Sequence, residues 1–287
     1  MAQEQQQQKA TGLKLFNQTI TNPSTQMYLE QVLGERKGSF INNLTALVAN
    51  ESGLQDCQPY TVMFAALKAT ALNLPLDKSL GQAFVIPYKD NKKGITVAQF
   101  QIGYKGIKQL ALRSNQFAVI PTATDIREGE LVSRNRLTGE CVFKFIEDDN
   151  ERLQKPIIGY ASYFRLMNGA QSTFYMSKAE VEAHAKRYSQ TYRSNDPRIK
   201  AASKWTTDFE NMACKTVIKL NLSKNAPLSV EMADAIKADQ SVQFEANKYE
   251  YMDNEDEQTI IEAQKAQELA NKFTEFSEVT GDNGDNK

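Results

Sequence analysis

Histidine and cysteine are scarce in this chain of 287 residues, with one of the first and three of the second. Cys57, Cys141 and Cys214 show no CxxC spacing, so an ordinary Cys/His zinc site is excluded. So few thiols also argue against a disulfide framework and fit a reducing cytoplasm. Long apolar runs are missing as well. The most apolar stretch, Val62 to Leu74, is interrupted by Lys68 and is too short to span a bilayer. The glutamine-rich start, Met1 to Ala10, has no apolar segment of the secretory kind. The sequence reads as a soluble cytoplasmic protein with no membrane partner.

Catalytic signatures are absent too. Gly34-Glu35-Arg36-Lys37-Gly38-Ser39 has the composition of a P-loop in the wrong order, and a P-loop lysine must follow the phosphate cradle. There is no GxSxG elbow and no HExxH pair. His184 lies in a polar helical stretch and reads as a surface histidine. Asp125, Glu128 and Glu130, and the run Glu147-Asp148-Asp149, are acids that a magnesium-dependent nuclease would need. Both groups fall where turns are expected, and acidic turns are common. No cofactor is implied.

What is present is a core-forming composition, 41% hydrophobic and 24% charged, with an uneven distribution of charge. The formal net charge is −1, but residues 1–230 carry 29 Lys and Arg against 20 Asp and Glu. Residues 231–287 carry 5 against 15. A basic body of +9 with an acidic tail of −10 points to a polyanionic ligand and a separate partner or regulatory segment. A solvated tail that only aids solubility would look the same.

The pattern along the chain is helices, hairpins, then helices. Residues 1–23 read as a disordered Gln-rich arm. Ser24 opens a helix that Gly34 ends, a second carries Phe40 to Val48, and a third follows Pro59. Strands are expected at Ala83–Tyr88 and Ile95–Ile102, forming a hairpin, and at Phe117–Ile126, with Gly139 turning the chain before Cys141–Ile146. Another hairpin pairs Ile157–Met167 with Gln171–Met176 through Asn168-Gly169, a type I′ signal. Ser177-Lys178-Ala179-Glu180 is a capping box for a helix to about Tyr188. A polar loop, Tyr192–Lys200, leads to a long helix from Lys204 to Leu222. The fold class is α+β: N-terminal helices, a central antiparallel hairpin-rich sheet and a long basic C-terminal helix, followed by an acidic tail. The folded core is placed at residues 24–230. The tail, 231–287, contains a weakly amphipathic helix from about Thr259 to Phe276. A cut after about Val230 should then leave a working core.

Two features bear on a ligand. Gln101-Ile102-Gly103-Tyr104-Lys105-Gly106-Ile107-Lys108 takes a strand into a helix through GxxG, where free N–H groups attract phosphate and Lys105 and Lys108 add charge. KH modules clamp a nucleic-acid backbone with such a loop, while tight strand-to-helix packing needs the same glycines. In the helix 204–222, Lys204, Asp208, Asn211, Lys215 and Lys219 fall on one stripe. Trp205, Phe209, Met212, Ala213, Thr216 and Leu220 fall on the opposite, core-facing one, with Trp205 as an anchor. A line of ammonium groups with one acid suits a phosphate backbone, and the same line is also an ordinary solvated face. Lys178, Lys186, Arg187, Arg193, Arg198 and Lys200 add charge upstream.

Over residues 25–230 the chain resembles the RecT family of phage single-strand annealing recombinases. The likeness rests on Gly81 to Tyr88, Phe100 to Gly106, Leu112-Arg113-Ser114, Trp205, Met212 to Lys219 and Pro227-Leu228-Ser229, in that order. The resemblance implies ATP-independent pairing of DNA strands. It also implies binding of single strands and annealing duplex, assembly into a homo-oligomeric ring or helical filament, and cooperation with a phage 5′–3′ exonuclease. The DNA-contact candidates are Gln101, Tyr104, Lys105, Lys108, Arg113, Lys178, Arg187, Lys204, Asn211, Lys215 and Lys219, with Lys215 favoured by the likeness. A KH-like, sequence-selective RNA-binding protein and a metal-dependent nuclease are the rival classes.

Overall fold

Phe16 and Ile20 are buried where a disordered arm was expected, each 2% exposed. In the computed structural model, which describes residues 2–90, 93–245 and 248–251, the chain begins with helix α1 (Ala2–Thr21). Leu13, Phe16 and Ile20 recur at helical spacing behind the glutamines and put one face of α1 into the core. The Gln-rich composition hid that period. Gly12 lets the helix approach the 52–55 turn so closely that a Cβ would strike the Gln55 carbonyl.

Helix α2 (Pro23–Leu33) starts on the Asn22 side chain and stops at Gly34, φ +54°. Helices α3 (Lys37–Asn50), α4 (Ser52–Gln55) and α5 (Pro59–Ala71) complete the N-terminal layer. Val62, Met63, Ala65, Ala66, Leu67 and Ala69 of α5 are all buried, so this helix is covered on most sides.

The β-hairpin appears as expected. Strands β1 (Ala83–Asp90) and β2 (Ile95–Ile102) pair antiparallel from Ala83↔Ile102 to Asp90↔Ile95. Helix α6 (Tyr104–Ser114) leads to β3 (Phe117–Arg127). A short hairpin, β4 (Leu131–Arg134) and β5 (Cys141–Phe143), and helix α7 (Asp149–Gln154) follow. Strands β6 (Ile157–Leu166) and β7 (Gln171–Ser177) join β3 in the order β3-β6-β7. The turn between β6 and β7 is not type I′. Gly169 has φ +86°, whereas Asn168 is not among the positive-φ residues, and Gly169 N donates to Leu166 O at 3.0 Å. A three-residue loop with one left-handed glycine results, and the Asn168 side chain accepts from Ala170 N at 3.0 Å.

Helix α8 (Lys178–Tyr188) carries the complete Ser177/Glu180 capping box. The expected polar loop holds two short helices, α9 (Gln190–Arg193) and α10 (Pro197–Ala201). The expected helix 204–222 is two helices, α11 (Lys204–Thr207) and α12 (Phe209–Asn225). Asp208, at φ −150° and ψ 53°, breaks them apart.

Helix α13 (Val230–Ala238) and strand β8 (Ser241–Glu245) belong to the compact unit, which runs to Met252. Met232, Ala235, Ala238 and Val242 are at most 1% exposed. Strand β8 pairs with β2 and with β9 (Lys248–Tyr251), giving the order β1-β2-β8-β9. The acidic segment therefore starts with core residues, which corrects the boundary at 230. The helix expected at 259–276 lies outside the described residues. The fold is α+β with antiparallel sheets, and no helix among the described residues is long and apolar enough to cross a membrane.

Candidate nucleic-acid interface

The GxxG glycines are explained by packing. Gly103 caps α6, and its N–H donates to Gln82 O at 2.7 Å. A Cβ on Gly103 would collide with the Gly81 carbonyl, and one on Gly106 with the Gln82 carbonyl. Of the two readings of this motif, close strand-to-helix contact is the one with a steric cause. Lys105 remains exposed, while Lys108 is half-buried with its ammonium 4.6 Å from the Tyr104 ring centre. Gln101 is half-buried in β2 opposite Phe84. Arg113 does not face a groove. Its guanidinium donates to Leu72 O at 2.9 Å and Asn73 O at 3.3 Å, satisfying carbonyls just past the end of α5.

Lys215 and Lys219 are not a solvated stripe. Both converge on Asp239, which ends α13 and is 1% exposed. Lys219 Nζ donates to Asp239 Oδ2 at 2.7 Å, and Lys215 Nζ lies 3.6 Å from Oδ1. Asp239 Oδ1 also accepts Ile102 N at 3.0 Å, one residue before the GxxG segment. One carboxylate thus ties the end of β2, helix α12 and helix α13 together, and brings the two sequence motifs into one neighbourhood. Burial drives the Lys215 ammonium below the usual lysine range, against the pull of Asp239. Burial also pushes the Asp239 carboxyl up, but the charges of Lys215 and Lys219 and the hydrogen bonds from Lys219 and Ile102 N outweigh it and hold it below the usual carboxylate range. Lys215 is 12% exposed and Lys219 26%. The reading of Lys215 as a free surface lysine is corrected: Lys215 and Lys219 meet Asp239 at the end of α13, while Asn211, on the same stripe, stays exposed. Nothing local marks Asp239, one acid in an acidic stretch.

A run of exposed basic side chains lies on α8 to α11. Lys178, Lys186, Arg187, Arg193, Arg198, Lys200 and Lys204 are all exposed. Aromatic rings lie behind them. Arg187 sits 5.3 Å from the Tyr188 ring and Lys200 5.6 Å from the Tyr192 ring. Tyr192 lies 6.3 Å from Trp205, the 6%-exposed anchor of a cluster with Tyr160, Val181, Ala185, Ala213 and Val217. Asn211 is exposed and donates to Asp208 Oδ1 at 2.7 Å, so the break between α11 and α12 holds its amide.

His184 is half-buried, not a surface residue, with its ring 4.5 Å from Tyr188 and 6.5 Å from Trp205. Burial first, and then the charges of Lys219 and Arg187, push its pKa down to about 4. A histidine depressed in the folded state stabilises above its unfolded pKa of about 6.5, and the benefit is lost as pH falls to about 4. The shift corresponds to roughly 3 kcal/mol. Urea unfolding of wild type and His184→Asn between pH 7.5 and 4 should therefore show the variant losing less stability as pH falls. Parallel curves would deny His184 a titrating role.

Of the acids of the nuclease reading, Asp125, Glu130 and Asp148 are committed elsewhere. Arg152 Nε donates to buried Glu130 at 2.7 Å, and its Nη1 lies 3.4 Å from Asp125, which also holds Arg127 at 2.8 Å. Asp148 caps α7 through Glu151 N. Among the described residues no group of three His, Cys, Asp or Glu is placed to hold a metal ion.

Comparison with known proteins covers most of the chain. An uncharacterized protein of Bacillus subtilis, YqaK, is 41% identical over 231 residues, covering 80% of this chain and 72% of that protein. Protein RecT of Escherichia coli is 28% identical over 225 residues, covering 77% and 78%. The sequence model of the RecT family matches residues 38–260, a span that includes α12, α13 and the Asp239 junction, and the chain belongs to that family.

Proposed function

We propose that this protein is an ATP-independent single-strand DNA annealing protein of homologous recombination. Family membership supports the annealing role. The observation that carries it further is the exposed basic face of α8 to α11 with tyrosines behind it, which suits a ligand that is a chain of phosphates with flat bases. Lys178, Arg187 and Lys204 on that face, with exposed Lys105 at the start of α6, are the phosphate contacts we favour. Such a face reads little sequence and leaves specificity to base pairing.

No nucleotide is needed for the chemistry. Stacking yields about 1.4 kcal/mol per base-pair step, so annealing runs downhill once hairpins are opened and phosphate repulsion is screened. Assembly into a ring or filament on DNA and cooperation with a 5′–3′ exonuclease belong to the same proposal. The KH-like RNA-binding reading has lost its observation, because packing accounts for both glycines. Purified protein mixed with complementary oligonucleotides should anneal them faster than the bare strands do, without ATP and equally for scrambled sequences. A requirement for ATP, or no acceleration, would end this reading.

A further inference from the structure

A cleft of about 30 Å³ opens between α8, α12 and the residues that follow α13. Lys215, Lys219 and Asp239 line it, together with His184, Trp205 and Gln240. Its charge does not balance: two ammonium groups face one carboxylate. Among the described residues, no other side chain lining it is charged at neutral pH. The Lys215 and Lys219 side chains are 12% and 26% exposed, so the surplus positive charge has less solvation than that of a fully exposed lysine.

Its donors are also unspent. Lys219 has three N–H donors, and its hydrogen bond among the described residues goes to Asp239 Oδ2. Neither ring nitrogen of His184 and neither atom of the Gln240 side-chain amide has a hydrogen-bond partner among those residues. Gln240 itself is held in place, with φ +67° and its backbone N–H on Phe100 O at 2.9 Å. Ammonium, imidazole and amide donors around a positive surplus make a site for an anion. The volume admits about one water-sized group, which accommodates a phosphate oxygen and excludes a base.

We propose that this cleft is a phosphate-binding subsite that seats one backbone phosphate of the bound DNA strand. Lys219 makes the contact, His184 and Gln240 complete it, and Asp239, itself held by Lys215 and Ile102 N, keeps Lys219 in position. The proposal rests on the DNA-annealing reading above. Arg187, on the exposed basic face, lies 5.3 Å from the ring of cleft-lining Tyr188, which links that face to the subsite.

The chain has a single tryptophan, and it lines the cleft, so its emission reports on the site directly. The experiment titrates the full chain with oligothymidylate and, separately, with inorganic phosphate against chloride at matched ionic strength. Tryptophan emission and the anisotropy of a labelled oligonucleotide are followed together. Oligothymidylate should shift the emission of Trp205, and inorganic phosphate should do so at higher concentration and compete. Lys219→Gln should weaken oligonucleotide binding about tenfold and flatten the log K against log salt slope by about 0.7, while Lys219→Arg keeps both near wild type.

Because Lys219 also holds Asp239, melting curves accompany each variant. Gln240→Glu, which leaves that pair intact, should weaken binding in the same direction. If Lys219→Gln and Gln240→Glu fold and bind with wild-type affinity and slope, and Trp205 emission does not move, the subsite is refuted while DNA binding stands. Emission shifted by inorganic phosphate in a protein whose anisotropy shows no oligonucleotide binding would overturn both the DNA assignment of the cleft and the reading on which it rests.

Discussion

Asp239→Ala should cost about 3–5 kcal/mol of folding stability, because it leaves two enclosed ammonium groups facing no carboxylate. It also removes the acceptor for Ile102 N, a buried donor at the end of β2. A domain of ordinary stability has about 5–15 kcal/mol in total, so much of the protein would be unfolded or insoluble. Asp239→Asn keeps a carbonyl for Ile102 but loses the charge, and should fall between alanine and wild type. The contribution has a definite pH sense. A carboxylate depressed in the folded state stabilises fully above its unfolded pKa of about 3.9 and loses that effect as pH falls below it. Urea unfolding at pH 7 measures the loss. Replacing all three groups, Lys215→Met, Lys219→Met and Asp239→Leu, should recover most of it, since apolar substitutes for a buried ion cluster are often neutral or better. A loss under about 1 kcal/mol for Asp239→Ala would show that the lysines reach water without their carboxylate.

The strands were legible in the sequence because their signals are local. The β1–β2 hairpin, the β6–β7 pair and the Ser177 capping box each depend on residues a few positions apart, and each stands where the pattern put it. The turn type at Asn168-Gly169 was misjudged for an equally local reason. Two- and three-residue loops both want glycine at the left-handed position, and only φ at Asn168 separates them.

The candidate site was only half legible. Periodicity put Lys215 and Lys219 on one stripe and Ala213 and Thr216 on the buried one, but it missed Val217, Ile218, Asn221 and Leu222, which are buried too, and Phe209, Met212 and Leu220 are only half-buried. What it cannot give is the neighbour lying over the polar stripe. Asp239 arrives 20 residues after Lys219 in sequence, within a segment whose charge suggested a detached tail. Arg113 was opaque for the same reason, since its carbonyl partners lie about 40 residues upstream at the end of α5. The basic residues of α8 to α11 are exposed because nothing in the described fold covers them.

A chain ending at Val230 should fail to fold, whereas one ending at Met252 should keep the stability and DNA binding of the full protein. The shorter cut removes Met232, Ala235, Ala238 and Val242 from the core and strips β2 of its second strand neighbour. Burying the methionine alone is worth about 1.5–3 kcal/mol, and the lost carboxylate of Asp239 adds about 3–5. Lys68 would also lose Asp234, its ion-pair partner at 2.9 Å. Together these come to about 4.5–8 kcal/mol before the burial of Ala235, Ala238 and Val242 is counted, against the roughly 5–15 kcal/mol of an ordinary domain. The longer chain keeps every one of these contacts and drops only residues 253–287, a separate unit by its contacts. Circular dichroism melts of both chains decide the first half, and oligonucleotide anisotropy on the longer one decides the second. A cooperative melt at wild-type temperature for the chain ending at Val230 would mean that α13 rests on a core complete without it. The buried Lys215 and Lys219 would then need some other counter-charge, and the role given to Asp239 would have to be withdrawn along with the boundary.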